Sequence, residues 1–510
     1  MKINQLKGGV ILSYISMGIG SIISILYTPV MLRLLGQSEY GLYNLAFSVV
    51  GYLGLLNFGF NSAYMRYYSR YKVNDDVENI EKVNGMFLIL FSIIGLIAIL
   101  AGTLLIFNIE TIFKKGLTPN EINTARILMM LMVLNLAISF LGSVFTSNMI
   151  ANEKYIFQKI VDILGKVVNP FLILPLLLMG YKSIAMIIIT TIITIITNYI
   201  NVWYCLKRLD MKFKFDKFNF TLMKEIWIFS FYIFLNMIVD QINWNVDKFI
   251  LGIFRGTAGV AVYSIGAQLN TYYLSLSTSI SSVFVPKVNR MVASVDDNKQ
   301  LTDLFTKVGR IQFIMMFFVL SVFVFFGEYF ISFWAGSGYE KAYLIALILM
   351  TPVTIPLIQN LGIEIQRAKN MHKFRSIVYT IIAIGNIFLS IPLCKVYGEI
   401  GPSIGTAITL IIGNGIIMNI YYHKMVGLDI KYFWKEIGKF IPSFIVPVMV
   451  GVWFKSVIGI DSMAMFLVGG VVYSIIFILS IWFIGMNDYE KDLLIGPLNF
   501  IKSKVCKRVN

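Results

Sequence analysis

Residues 231–249 gather polar side chains inside an apolar stretch. Asn236, Asp240, Asn243 and Asp247 stand at i, i+4, i+7 and i+11, which puts them on one face of a helix. Gln241, Asn245 and Lys248 form a second stripe about 100° further round. In a membrane such a helix cannot turn every side to lipid, because intramembrane charges face a protein interior or a wet cavity. A carboxylate placed there takes up a cation or a proton. That is the chemistry expected of Asp240, with Asp247 and Lys248 near one mouth and the four amides lining the cavity. The plainer alternative is a polar cluster that holds helices together.

Asp162, Lys166 and Asn169 share another face at spacings of four and three, followed by Pro170. Asp162 and Lys166 suit a simple intrahelical pair; as a cavity group, Lys166 would offer positive charge to an anionic ligand. Glu364 and Arg367 are an i, i+3 pair, and snorkelling to the interface accounts for Arg367 almost as well as function does. Arg33 and Arg66 close the first two apolar stretches and read as interfacial anchors or as binding groups. Nucleotide hydrolysis finds no support, because Gly165-Lys166 and Gly438-Lys439 lack the upstream glycine and the following Ser or Thr of a phosphate loop. Two histidines and three scattered cysteines (Cys205, Cys394, Cys506) offer neither a metal cluster nor a disulfide framework. The expectation is a non-enzyme without cofactor or metal, driven by an ion gradient, by its cargo's own gradient or by a partner.

The elements that must position these groups are membrane helices. Hydrophobic residues make up 57% of the 510 and charged residues 14%, against about 25% charged in soluble domains. Mean hydropathy is +0.77. Apolar residues come in runs such as Leu88–Leu100 rather than in alternation, which excludes an outer-membrane barrel. Hydropathy marks fourteen candidate spans, from 8–33 to 463–485. The first, led by Lys2 and Lys7, is too long for a cleaved signal and has no Ala-x-Ala site, so it reads as an uncleaved span. With both termini cytosolic, 32 of the 43 Lys and Arg fall on the inner side and 10 on the outer, Lys166 lying within a span. A bias of that size sets the orientation. It also accounts for the net charge of +16 without nucleic acid. Asp240 then lies fourteen residues from the inner end of span seven, about 21 Å at ~1.5 Å per residue, past the bilayer midplane.

An internal repeat organises the spans. At an offset of 217, Ala151, Phe157, Ile160, Val161, Asn169, Phe171, Leu172, Pro175 and Leu176 recur as Ala368, Phe374, Ile377, Val378, Asn386, Phe388, Leu389, Pro392 and Leu393. A weaker echo at 220 pairs Gly36 with Gly256 and Tyr43 with Tyr263. Six spans per copy is an even number, so both copies enter the membrane alike, as a parallel repeat. The expected fold is an all-α polytopic membrane protein of about fourteen transmembrane helices. Two parallel six-helix bundles, 1–210 and 211–425, surround a central cleft, with helices thirteen and fourteen at 426–486 and a basic cytosolic tail at 487–510. The tail's lysines suit anionic membrane lipid.

Arg33-Leu-Leu-Gly36-Gln-Ser-Glu39-Tyr40-Gly41-Leu-Tyr43, followed by Gly59 through Arg66, resembles the start of bacterial polysaccharide flippases of the Wzx type. Asn152-Glu-Lys-Tyr-Ile-Phe157 resembles their short loop before span five, and Asp247-Lys-Phe-Ile-Leu-Gly252 their span-seven exit. Lipid II flippases and sporulation-associated exporters of the same superfamily share these motifs. The resemblance implies a carrier in the bacterial inner membrane. It would move undecaprenyl-diphosphate-linked oligosaccharide to the outer leaflet by alternating access, for surface polysaccharide biosynthesis alongside a polymerase and chain-length machinery. A sugar head needs a wet cleft and a diphosphate needs cations, while the polyprenyl tail stays in lipid. Arg33, Arg66, Lys166 and Lys248, with Arg367 behind them, are the candidates for anion contact. Asp240, Asp247 and Glu364 are the candidates for Na⁺ or H⁺ coupling.

The main rivals are a lipid II flippase and a multidrug-type cation antiporter of the same superfamily. An antiporter would want an acidic, aromatic pocket, which the 15% aromatic content permits; the Arg33–Tyr43 junction favours the polysaccharide branch. A membrane polymerase or glycosyltransferase would need a sizeable outer loop, and the longest here is about residues 108–123. A membrane scaffold would leave the polar stripes of span seven without a use.

Overall fold

The structure, a computed structural model, describes residues 5–215, 220–294 and 297–493, and among them helices and turns but no strand. The expected basic tail lies outside the described residues from 494 onward. Hydrocarbon offers backbone amides no partner, so a crossing segment satisfies its own hydrogen bonds as a helix. Twelve described segments are long and apolar enough to cross a bilayer, which makes the chain an all-α, multi-pass membrane protein. A count of fourteen needs two additions. Lys373–Val426 is one apolar run of 54 residues, roughly 80 Å as helix against about 30 Å of hydrocarbon, and Gly398 interrupts it at φ 66°. Gly256–Ser294 is a helix of 39 residues that is not among the twelve; hydroxyl residues crowd its middle, from Thr271 to Ser282.

The helices group by packing into two compact units, Met1–Ser264 with Ala383–Gly405, and Ile265–Ile382 with Thr406–Asn510. The first holds α1 (Gln5–Leu35), α2 (Gln37–Leu53), α3 (Phe60–Val73), α4 (Val77–Phe107), α5 (Ile109–Phe113), α6 (Pro119–Ala151), α7 (Tyr155–Leu178), α8 (Ser183–Arg208), α9 (Phe220–Phe254) and the start of α10 (Gly256–Ser294). Its core closes around Phe60, Tyr64, Phe87 and Phe91, all buried. Polar bonds thread that core. Tyr64 donates to Asn84 at 2.6 Å and accepts from Asn148 at 2.8 Å, while Asn152 donates to Tyr68 at 2.8 Å and accepts from Lys72 at 2.7 Å. Side-chain bonds of this kind fix helix register where lipid supplies no hydrophobic drive between helices.

At one end of this unit the N-termini of α2, α6 and α10 converge. Pro119 opens α6, and Thr118 and Glu121 form a capping box. Glu121 Oε1 also accepts from Ser38 at 2.6 Å and Thr257 at 2.7 Å, and Ser183 donates to Glu39. A Cβ on Gly41 would stand 1.9 Å from the Thr257 carbonyl, so only glycine lets α10 come this close. The Arg33–Tyr43 motif is thus a packing joint. Gly41→Ala is expected to force α2 from α10 at a cost of about 1–3 kcal/mol, read as a lowered melting temperature of the purified protein; an unchanged melt would mean the contact is dispensable.

The second unit holds the rest of α10, α11 (Asn298–Trp334), α12 (Lys341–Ile358), α13 (Asn360–Ala368), the first part of α14 (His372–Tyr397), the second half of α15 (Gly401–Leu410), α16 (Asn419–Tyr421), α17 (Ile430–Gly438), α18 (Ile441–Trp453) and α19 (Met463–Ser480). Phe317 stacks on Phe444 with centroids 3.8 Å apart, and Phe318 and Phe444 both pack on Phe477. This aromatic stack holds α18 and α19 to α11.

The repeat is visible in the backbone. Glu153 and Asn370, 217 residues apart, both adopt φ 57°. Around them the amide of Lys154 bonds the carbonyl of Met149 at 2.9 Å and that of Met371 bonds Gln366 at 2.8 Å, again 217 apart. Phe157 stacks on Tyr204 at 3.8 Å, and Phe374 on Tyr421 at 4.1 Å, each pair with planes 13° apart. One such stacked pair lies in each unit, and the two are built alike. The packing units describe contact, whereas the division at 210/211 concerns the repeat, and the two follow different boundaries.

Candidate functional site

α9 packs along α2 and α3 because small residues admit it. A Cβ on Gly59 would meet Ile233 at 2.4 Å, one on Gly252 would meet Leu45 at 2.4 Å, and one on Gly51 would stand 3.0 Å from Gln241 Nε2. This docking places the two polar stripes differently. Gln241, Asn245 and Lys248 are half-buried; Gln241 lies against α2 and accepts from Asn245 at 3.2 Å. Asn236 and Asp240 are exposed, with Trp244 beside them one turn on. Asn243 on the same stripe is half-buried and Asp247 is 1% exposed. The first stripe therefore runs from an open middle to a closed end.

Asp247 closes that end. Its Oδ2 accepts from Tyr263 of α10 at 2.6 Å and its Oδ1 from Ser390 of α14 at 3.1 Å. Ser390 also lies 2.8 Å from Asn386 Oδ1, the repeat counterpart of Asn169. A buried carboxylate gains most from charge-assisted bonds of this kind, so Asp247 ties three helices. Arg255, which begins the turn into α10, donates to the carbonyls of Cys394 at 3.0 Å and Lys395 at 2.9 Å. A cation there satisfies acceptors near the end of α14.

The other candidates spread over both units. Arg66 is exposed and lies over the Phe229 ring of α9 at 4.7 Å. Lys166, exposed on α7, donates to Ser16 of α1 at 3.0 Å. Asp162 pairs instead with Lys159 at 3.8 Å, so the local pair forms with a different lysine from the one the spacing suggested. Arg33, at the last turn of α1, is exposed. In the second unit, exposed Arg367 bonds half-buried Glu364 at 2.8 Å, an ion pair within α13. Within the first unit, α9 unites the seven span-seven residues and reaches Arg66; Lys166 belongs to the α1–α7 contact.

A family profile described as polysaccharide biosynthesis protein matches residues 6–292. A Shigella flexneri protein named "Putative O-antigen transporter" is 20% identical over 401 residues, covering 77% of this chain and 92% of its own. Among solved structures, the lipid II flippase MurJ in an inward closed conformation superposes with a TM-score of 0.72 at 18% identity, over 92% of this chain and 98% of its own. An inward-facing multidrug resistance transporter of the MATE family and MOP superfamily gives 0.61 at 15%, over 81% and 99%. At these identities the structures share a fold with this chain. The family profile spans more than half of the sequence, and so this chain belongs to the polysaccharide biosynthesis protein family of multi-pass membrane proteins.

Proposed function

We propose that the protein carries undecaprenyl-diphosphate-linked oligosaccharide from the cytosolic to the outer leaflet of the bacterial inner membrane by alternating access. The observation that carries this reading is the open polar face of α9, Asn236 and Asp240 beside Trp244, on a chain of polysaccharide-biosynthesis ancestry. A lipid-facing helix would set apolar groups there. On this reading the crossings number fourteen, with both termini cytosolic, and the halves 1–210 and 211–425 enclose the cleft. Arg33, Arg66, Lys166 and Lys248, backed by Arg367, meet the diphosphate. Asp240, Asp247 and Glu364 supply Na⁺ or H⁺ coupling, and a polymerase with chain-length machinery consumes the cargo.

Trp244 one turn from Asp240 also suits an organic cation, which makes a multidrug-type antiporter the second reading. Expression in an O-antigen strain lacking its own carrier separates the two. Restored surface glycan with unchanged drug accumulation supports the flippase; lowered drug accumulation without glycan supports the antiporter. In the same strain Lys166→Ala, with Asp162→Asn to keep the local charge, is expected to cut glycan export several-fold. Unaltered export would leave Lys166 as a structural partner of Ser16.

A further inference from the structure

α17 is too short to cross a membrane, at nine residues. Ile430, Phe433 and Ile437 form its buried face. The opposite face carries Lys431, Tyr432, Trp434 and Lys435, all exposed, with Lys424 exposed just before the helix. Trp434 is fixed there because its indole N–H donates to Asn419 Oδ1 at 2.9 Å, and Asn419 is bonded in turn to Gln359, between α12 and α13, at 2.8 Å. Buried Arg310 of α11 holds the other end of the helix through the Glu436 carbonyl at 2.7 Å. Three residues beyond α17 the exposed apolar flank of α18 begins, with Ile441, Ile445 and Met449.

α17 is thus a rigid ledge where an apolar belt gives way to charge, with a tryptophan and a tyrosine at the boundary. Aromatic rings of this kind settle at headgroup level, and lysines beside them reach outward to phosphate depth. Among the described residues Lys424, Lys431 and Lys435 have no carboxylate partner, whereas Lys439 is matched by Glu436. We propose that the outward face of α17 is a binding site for the headgroups of anionic phospholipids in the bilayer, held by Lys424, Lys431 and Lys435 against Trp434 and Tyr432. Three cations without a carboxylate partner, with Lys431 and Lys435 between the flanking Trp434 and Tyr432 on the helix surface, are complementary to a phosphodiester that carries net charge, and a zwitterionic headgroup offsets that charge with its own ammonium. The proposal is independent of the cargo and survives if the transport reading fails.

The test uses the full-length protein in vesicles of phosphatidylcholine containing a fixed fraction of brominated phosphatidylglycerol or brominated phosphatidylcholine. Trp434 fluorescence is isolated as the difference between wild type and Trp434→Phe. The expected result is a relative binding constant at Trp434 about threefold or more in favour of the anionic lipid. That preference should fall toward one in Lys424→Gln/Lys431→Gln/Lys435→Gln. Should the triple variant fail to fold, wild type in high salt gives the same reading, because screening weakens exposed charge. Equal quenching by the two lipids, a preference indifferent to both salt and lysine removal, or its abolition by millimolar inorganic phosphate would overturn the proposal.

Discussion

Asp240→Asn is expected to lower glycan export at least roughly 100-fold while leaving membrane insertion and thermal stability near wild type. The two side chains have nearly the same shape, and Asn keeps hydrogen-bonding capacity, so packing gives little reason for loss. What disappears is a charge that can bind a cation or exchange a proton, and intramembrane carboxylates are retained for that purpose. Asp240 is exposed on α9, and asparagine fills the same space there. Asp247→Asn is the instructive contrast. It removes one of two acceptors from a site 1% exposed that holds Tyr263 and Ser390, and a lowered melting temperature should accompany any loss of export. Full complementation of a carrier-deficient strain by Asp240→Asn would sink the ion-site role.

The membrane fold and the polar helix were legible because hydrocarbon imposes them: helices must be apolar, and departures such as Asn236 and Asp240 stand out in a chain 57% hydrophobic. The repeat was partly legible. Letter matches such as Asn169 with Asn386 exposed its register, but Glu153 and Asn370 share a backbone conformation and no letter. Long-range ties were not legible. Nothing near Asp247 announces Ser390, 143 residues on, and Arg310 reads in sequence as one more inner-loop cation. The capping box at Thr118 and Glu121 was a readable signal of a helix start, yet the second use of Glu121, accepting from Ser38 and Thr257, depends on helices far apart in the chain. Hydropathy also passed over the hydroxyl content of α10, because scattered Ser and Thr bond their own helix, as Thr271 does to Ala267.

Removing either partner of the Arg310–Glu490 pair is expected to destabilise the second unit more than any other single change in it. Arg310 is 3% exposed and so is Glu490. The guanidinium donates to both carboxylate oxygens, at 2.6 and 3.0 Å, and lies over the Phe440 ring at 4.2 Å. It also caps two helix ends, through the carbonyls of Glu436 at 2.7 Å and Gly485 at 3.0 Å. One side chain thereby joins α11, α17 and the segment after α19. Arg310→Met leaves the Glu490 carboxylate with the Asn487 amide at 3.0 Å and strands two carbonyls; breaking one side of a buried pair costs about 3–5 kcal/mol. Glu490→Gln should cost less, since its amide oxygen still accepts from Arg310 and the Glu436 carboxylate stands 3.5 Å away. Replacing both residues with methionine should recover part of the loss, because no ion then remains desolvated alone. Thermal unfolding of the purified protein in lipid nanodiscs would order the variants as wild type, Glu490→Gln, double methionine and Arg310→Met; a wild-type melt for Arg310→Met would show that the pair ties nothing together.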